Sequence, residues 1–176
     1  MQLKDTLYTA RMAVRDYQKS DLPVLTAMWF DGENGKYLSD PAAAYVDEKY
    51  QKALDGLEDN PNGYYLTLVR RGSEEILGSC FIFPGEEKGA FEIAYCIHKD
   101  HWGQGYGTEL IPRIVGWIRD RGGPKITAEA AKENKASNAL LRKSGFEVIG
   151  EGRFKKYNMD ISFDSYIYRL IVSGGK

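Results

Sequence analysis

The 176-residue sequence predicts an α+β (mixed α/β) fold: a predominantly antiparallel sheet of about seven strands with helices on both faces. Two observations carry this. Residues 64–71, 75–83 and 90–98 are rich in β-formers and joined by short turns, so an antiparallel meander is the natural arrangement. Around them lie runs of helical period: Leu22, Leu25 and Trp29 before, and Leu110, Ile111, Ile114, Trp117 and Ile118 after. With no repeat, linker or low-complexity stretch, residues 1–176 read as a single domain, long enough for a sizeable core.

Taken in order, residues 1–9 show no clear period and read as an arm. Residues 10–17 form the first predicted strand, with Met12 and Val14 alternating against arginines. Ser20 or Asp21 caps a helix that carries Pro23 in its first turn. Asp40-Pro41 reads as a second helix start, with a capping carboxylate and then proline, and this helix is expected to reach Leu57. After the meander come a glycine-rich loop and the helix over 109–119, in which Pro112 is an awkward interior residue. A strand over 125–131 follows, then a short helix over 136–144 with Gly145 as its stop. A strand over 146–154, a loop over 157–163 and a last strand over 165–172 complete the reading.

Charged residues make up 28% and hydrophobic ones 43%, an ordinary globular balance, and the net charge is −1. No basic excess points to nucleic acid. No apolar run approaches the ~20 residues of a membrane span, and the start lacks a signal-peptide core, so no membrane partner and a cytoplasmic location are expected. Cys80 and Cys96 lie in strand runs far from any C-x-x-C spacing and read as buried free thiols. His98 and His101 do not fit H-E-x-x-H, and no carboxylate–histidine cluster completes a metal site, so no metal is expected.

The stretch His98-Lys-Asp-His-Trp-Gly-Gln-Gly-Tyr-Gly-Thr108 joins an apolar strand to an amphipathic helix. Gly103, Gly105 and Gly107 free its backbone, and the following helix adds unpaired N–H groups and the positive end of its dipole. This is the chemistry of a phosphate cradle. Its G-x-G-x-G spacing is neither the dinucleotide fingerprint G-x-G-x-x-G nor a P-loop.

A second stretch, Asn134-Lys-Ala-Ser137-Asn138 and then Leu140 to Ser144-Gly145-Phe146, follows about thirty residues later. The order and spacing of the two resemble the GNAT superfamily of acetyl-CoA-dependent N-acetyltransferases. The Trp102-Gly-Gln-Gly-Tyr106 core, the N-x-x-S pattern and the Arg15-Asp16-Tyr17…Ser20-Asp21 start look most like its ribosomal-protein-alanine acetyltransferase branch. One departure stands out: Trp102 holds a place that is usually Gln or Arg.

The resemblance implies a GNAT-type twisted sheet whose fourth and fifth predicted strands, 90–98 and 125–131, splay apart to admit acetyl-CoA. It implies a pantetheine paired with the backbone of Tyr95, Cys96 and Ile97, and an N–H near Ala94–Tyr95 as oxyanion donor. The diphosphate would rest on Gln104, Gly105, Tyr106, Gly107 and Thr108. Asn134 would bond the pantetheine arm, or serve as the cap of the short helix. Glu92 takes the position of a general base and Ser137 that of the acid beside the sulfur, with Glu129 as a rival base. The implied reaction is direct acetyl transfer to a primary amine, of a protein N-terminus or a small molecule. The alternative is a non-catalytic CoA-binding regulatory domain. Residues 29–50, with Asp31, Glu33, Asp40, Asp47 and Glu48, would build the acceptor side, although such acids also read as a solvated face. Tyr37, Tyr45, Tyr64 and Tyr65 are candidates for its walls, or plain packing residues. The family often forms dimers, which makes a homodimer an implied partner state.

Overall fold

A computed structural model of the chain describes residues 1–85 and 87–172. Its strands are β1 (Leu7–Tyr8), β2 (Met12–Asp16), β3 (Tyr64–Arg70), β4 (Ile76–Pro84), β5 (Phe91–Ile97), β6 (Lys125–Ala131), β7 (Glu147–Lys155) and β8 (Ser162–Ile171). Its α-helices are α1 (Leu22–Trp29), α2 (Glu48–Asp55), α3 (Tyr106–Arg119) and α4 (Lys135–Lys143). The described strands form one open sheet in the order β1-β2-β3-β4-β5-β6-β8-β7. Every neighbouring pair is antiparallel except β5 and β6, which run parallel. Among the described residues no helix is long and apolar enough to cross a membrane.

Strand alternation sends side chains to two cores, so the helices cover both faces as the sequence predicts. One core joins Leu66, Leu68, Ile82, Ile93 and Ile126 to Leu110, Ile111, Ile114 and Trp117 of α3 and Leu141 of α4. The other joins Tyr17 and Cys96 to Leu25, Met28 and Trp29 of α1 and Leu54 of α2. Ile93 and Cys96, three residues apart on β5, serve opposite cores. Pro112 sits inside α3 and leaves the Thr108 carbonyl without its helical donor.

The structure departs from the sequence expectation in three places. The arm is not free: Leu7 and Tyr8 pair with Val14 and Ala13, and Leu3 and Leu7 are buried. A two-residue strand is too short to show a period, which is why the pattern is silent there. Asp40 does not start a helix. Residues 43–45 make a single 3-10 turn, Val46 is extended, and α2 begins at Glu48. Asp47 is the cap, accepting from Tyr50 N–H at 2.8 Å. The Asp40 carboxylate is taken by the Tyr50 hydroxyl instead. The β7–β8 pairing also extends beyond the expected strand ends, to Lys155↔Ser162.

The Asp21 carboxylate turns back from the start of α1. It accepts from the Arg15 fork at 2.7 and 2.8 Å, from Gln18 N–H at 2.9 Å and from Thr67 Oγ1 at 2.7 Å. Burial alone would raise its pKa; these donors outweigh burial and hold it below the usual carboxylate range. The group thus stabilises the fold above the ordinary carboxylate pKa, and that stability is lost as pH falls through the lowered one. Asp21→Asn removes one partner of a buried pair and should cost about 3 kcal/mol at pH 7. The penalty should shrink as the pH falls through the lowered carboxyl range; urea unfolding at neutral and at successively more acidic pH measures it.

Candidate active site

Parallel pairing between β5 and β6 covers only Phe91↔Ile126 and Glu92↔Thr127. Beyond that point β5 stays on β4 as far as Ile97↔Gly78, and β6 stays on β8 as far as Ala131↔Ser165. The two strands therefore part, and the gap widens toward their C-terminal ends. His98 N–H bonds Leu77 O at 2.8 Å. Alternation along the ladder then turns the N–H and C=O of Ile93, Tyr95 and Ile97 into the gap, and those of Cys96 onto β4. The Ile97 carbonyl already receives Trp102 Nε1 at 2.8 Å and Asn34 Nδ2 at 3.3 Å.

The loop after β5 makes one 3-10 turn at Lys99–His101. Gly103 and Gly105 hold left-handed backbone angles, φ 71° and 85°, and Gly105 caps α3. Gly107 answers a different need: a Cβ there would come within 2.5 Å of Leu140 Cδ2. Its lack of a side chain lets α3 begin against α4. Tyr106, Gly107 and Thr108 head α3, so their amides have no carbonyl one turn earlier to bond. The Tyr106 ring is buried, and its hydroxyl meets Arg70 Nη1 at 2.7 Å, so only its main chain faces the cradle.

On the other side of the gap Asn134 caps α4, its Oδ1 accepting Ser137 N–H at 3.1 Å. Among the described residues its Nδ2 makes no hydrogen bond. Asn138 staples the helix start to the sheet: Nδ2 donates to Ala131 O at 2.8 Å, and Oδ1 accepts from Tyr168 OH at 2.6 Å. The Tyr95 hydroxyl crosses the gap to Ser137 Oγ at 2.8 Å. Burial pushes the Tyr95 phenol up to about 12, so it remains protonated at neutral pH.

Glu92 is exposed and occupies the last paired position before the strands part. It shares a sheet face with Ala94 and Cys96, and its register partner is Thr127. Glu129, two residues further along β6, accepts from the Ser165 hydroxyl. Both carboxylates thus lie on the α1–α2 side of the sheet. Cys80 and Cys96 are buried free thiols, as expected. Burial raises each to about 12, which removes the thiolate an acyl-enzyme would need.

Residues 31–47 pass over that face, and most of their carboxylates are structurally engaged. Asp31 receives Lys99 Nζ at 3.1 Å, and Asp47 receives Asn158 Nδ2 at 2.8 Å. The turn between β7 and β8 docks on this segment. Lys156 Nζ, buried, donates to Gly35 O and Asp40 O, both at 2.8 Å, and Tyr157 N–H donates to Ser39 O at 2.8 Å. Burial raises the Asp40 carboxyl pKa and lowers that of Lys156. Tyr37 packs edge-on against Phe163, and Tyr65 against Phe81 and Phe83. Tyr64 packs against Trp117 of α3, on the opposite face from this segment.

Sequence reading missed the Tyr95–Ser137 bridge, the Asn138 staple and the Lys156 clamp. No local period marks a tyrosine as crossing a gap. The Asn138 staple has a signal in hindsight, an asparagine beside a helix cap.

Residues 11–147 match a family model described as the acetyltransferase (GNAT) domain. The chain belongs to this family. It is 25% identical over 171 residues to the uncharacterized N-acetyltransferase p20 of Bacillus licheniformis, covering 95% of this chain and 96% of that one. The fold matches an acetyltransferase from Salmonella typhimurium described as modifying the N-terminal serine of a 50S ribosomal subunit protein (TM-score 0.77, 18% identity, 96% and 100% of the two chains). It also matches the ribosomal α-N-protein acetyltransferase RimL in complex with coenzyme A (TM-score 0.77, 19% identity, 97% and 100%).

Gly105→Ala would force a Cβ into a left-handed backbone angle. It should cost about 1–2 kcal/mol in urea unfolding, whereas Gly32→Ala, in open space at negative φ, should change stability little.

Proposed function

We propose that the protein transfers acetyl from acetyl-CoA directly to a primary amine, on a protein N-terminus or a small molecule, in the cytoplasm. The observation that carries this reading is the gap between β5 and β6 with a helix beginning beyond each of its walls. Family membership supports it, as does the likeness to a fold that holds coenzyme A. The structural neighbour described as modifying an N-terminal serine supports a protein N-terminus as one acceptor class.

In this reading the unpaired amides of Tyr106, Gly107 and Thr108, with Gln104 and Gly105 shaping the loop, hold the diphosphate. The Tyr95 carbonyl and the Ile97 N–H pair with the pantetheine as an added strand, while Trp102 and Asn34 hold the Ile97 carbonyl and Cys96 stays on the β4 ladder. Asn134 donates its side-chain amide to the same arm. Tyr95 N–H points into the gap, where an oxyanion donor is needed.

An alkylammonium with pKa ~10 must lose a proton before it attacks. Glu92, directly or through water, accepts that proton. The amine nitrogen then bonds the thioester carbonyl carbon, its second proton passes to water, and the C–S bond breaks. Ser137 Oγ–H donates to the departing sulfur, with its hydroxyl held in place by the Tyr95 phenol. The buried thiols take no part.

A thiol-release assay with acetyl-CoA against a panel of amines and N-terminal peptides tests this. Glu92→Gln should lower kcat about 100-fold. Ser137→Ala should lower kcat by about the same factor with a smaller effect on KM for acetyl-CoA, and Tyr95→Phe should give a milder loss. Full turnover in both Glu92→Gln and Ser137→Ala would overturn the assigned roles. Uptake of CoA with no turnover on any amine would favour a non-catalytic regulatory domain.

A further inference from the structure

Glu109, in the first turn of α3, poses a problem for the cradle beside it. A carboxylate here is itself drawn to the positive helix end, and it stands close to where a diphosphate would rest. Glu109 does not turn toward the cradle. Its Oε2 receives Thr9 Oγ1 at 2.7 Å and Arg11 N–H at 3.1 Å, and its Oε1 receives Arg11 Nε at 2.5 Å. These donors come from the turn between β1 and β2, about a hundred residues away in the chain. Burial would raise the carboxyl, but Thr9 and Arg11 outweigh it and hold the pKa below its ordinary value, so Glu109 is ionised at neutral pH.

The Arg11 guanidinium is fixed from three sides. Besides Glu109, one terminal nitrogen donates to Gln104 O at 2.7 Å, and the group lies 4.3 Å from the centroid of the Tyr106 ring. Tyr106 is anchored in turn by Arg70, which pairs with Glu75. The bond to Gln104 O holds the carbonyl that precedes the Gly105 cap, so Arg11 touches the loop's frame while it neutralises the acid.

We propose that Arg11 is a positioning residue: it cancels the charge of Glu109 and pulls that carboxylate off the start of α3, leaving the first-turn amides to a diphosphate. The proposal rests on the cofactor reading above and adds the device that makes the cradle usable despite its built-in acid. It explains why residues as remote as Thr9 and Arg11 converge on this helix. It also gives the β1–β2 turn a part in ligand binding without contact to the ligand.

Calorimetric titration of the full chain with CoA and with 3′-dephospho-CoA tests it. Arg11→Met should weaken both ligands by the same factor, about three- to tenfold. Glu109→Gln alone should bind CoA at least as tightly as the wild type. Arg11→Met/Glu109→Gln should return to within about twofold of the wild type, because the uncancelled charge is gone. A double variant as weak as Arg11→Met, or a loss confined to CoA over its dephospho form, would mean that Arg11 meets the ligand directly and would overturn the proposal. Weakened binding in Glu109→Gln alone would overturn it as well, whether or not Arg11→Met folds. Wild-type protein that takes up no CoA would sink the cofactor reading itself, a result distinct from any of these.

Discussion

Everything at the candidate site depends on one interrupted ladder. Two strands that pair at Glu92↔Thr127 have no further ladder partners beyond it. Main-chain groups that open into a sheet normally carry a cost unless something bonds them. Here the opening is braced rather than closed. The Tyr95 phenol reaches across to Ser137, Trp102 and Asn34 cover the last carbonyl of β5, and Leu140 packs into the space that Gly107 leaves empty. The braces sit on side chains, so the backbone at Ile93 and Tyr95 remains available for a strand-like ligand.

The electrostatics follow the same logic. Burial keeps the Tyr95 phenol that spans the gap protonated, and the buried thiols of β4 and β5 likewise add no charge beside it. Exposed carboxylates stand on one sheet face, at Glu92 and Glu129, while the helix starts supply the positive end opposite. Such a division suits a reaction that takes a proton from a cation on one side and holds an anionic carrier on the other.

Much of this was legible in the sequence. The strand meander, the two helical faces, the glycine loop and the Asn134 cap all have local signatures, because periodicity and capping are nearest-neighbour physics. What stayed hidden depends on distant partners. Asp40 has the look of a cap, yet the Tyr50 hydroxyl claims it and Asp47 caps the helix. Leu7–Tyr8 gains its strand only by meeting Ala13 and Val14. Main-chain direction at Cys96 needs the β4 register, which no composition reveals. The glycine triplet shows the limit from another angle: it suggests one purpose, but Gly105 serves backbone angle and Gly107 serves helix approach.

Lys156 ties two separate stretches of chain into one rigid wall by placing its ammonium between carbonyls of Gly35 and Asp40. Neither stretch can be re-shaped by itself without stranding a buried cation or its acceptors. On the reading that residues 31–47 border the proposed acceptor site, a change of acceptor preference would require paired replacement, with loop and hairpin inherited, or grafted by an engineer, as a single cassette.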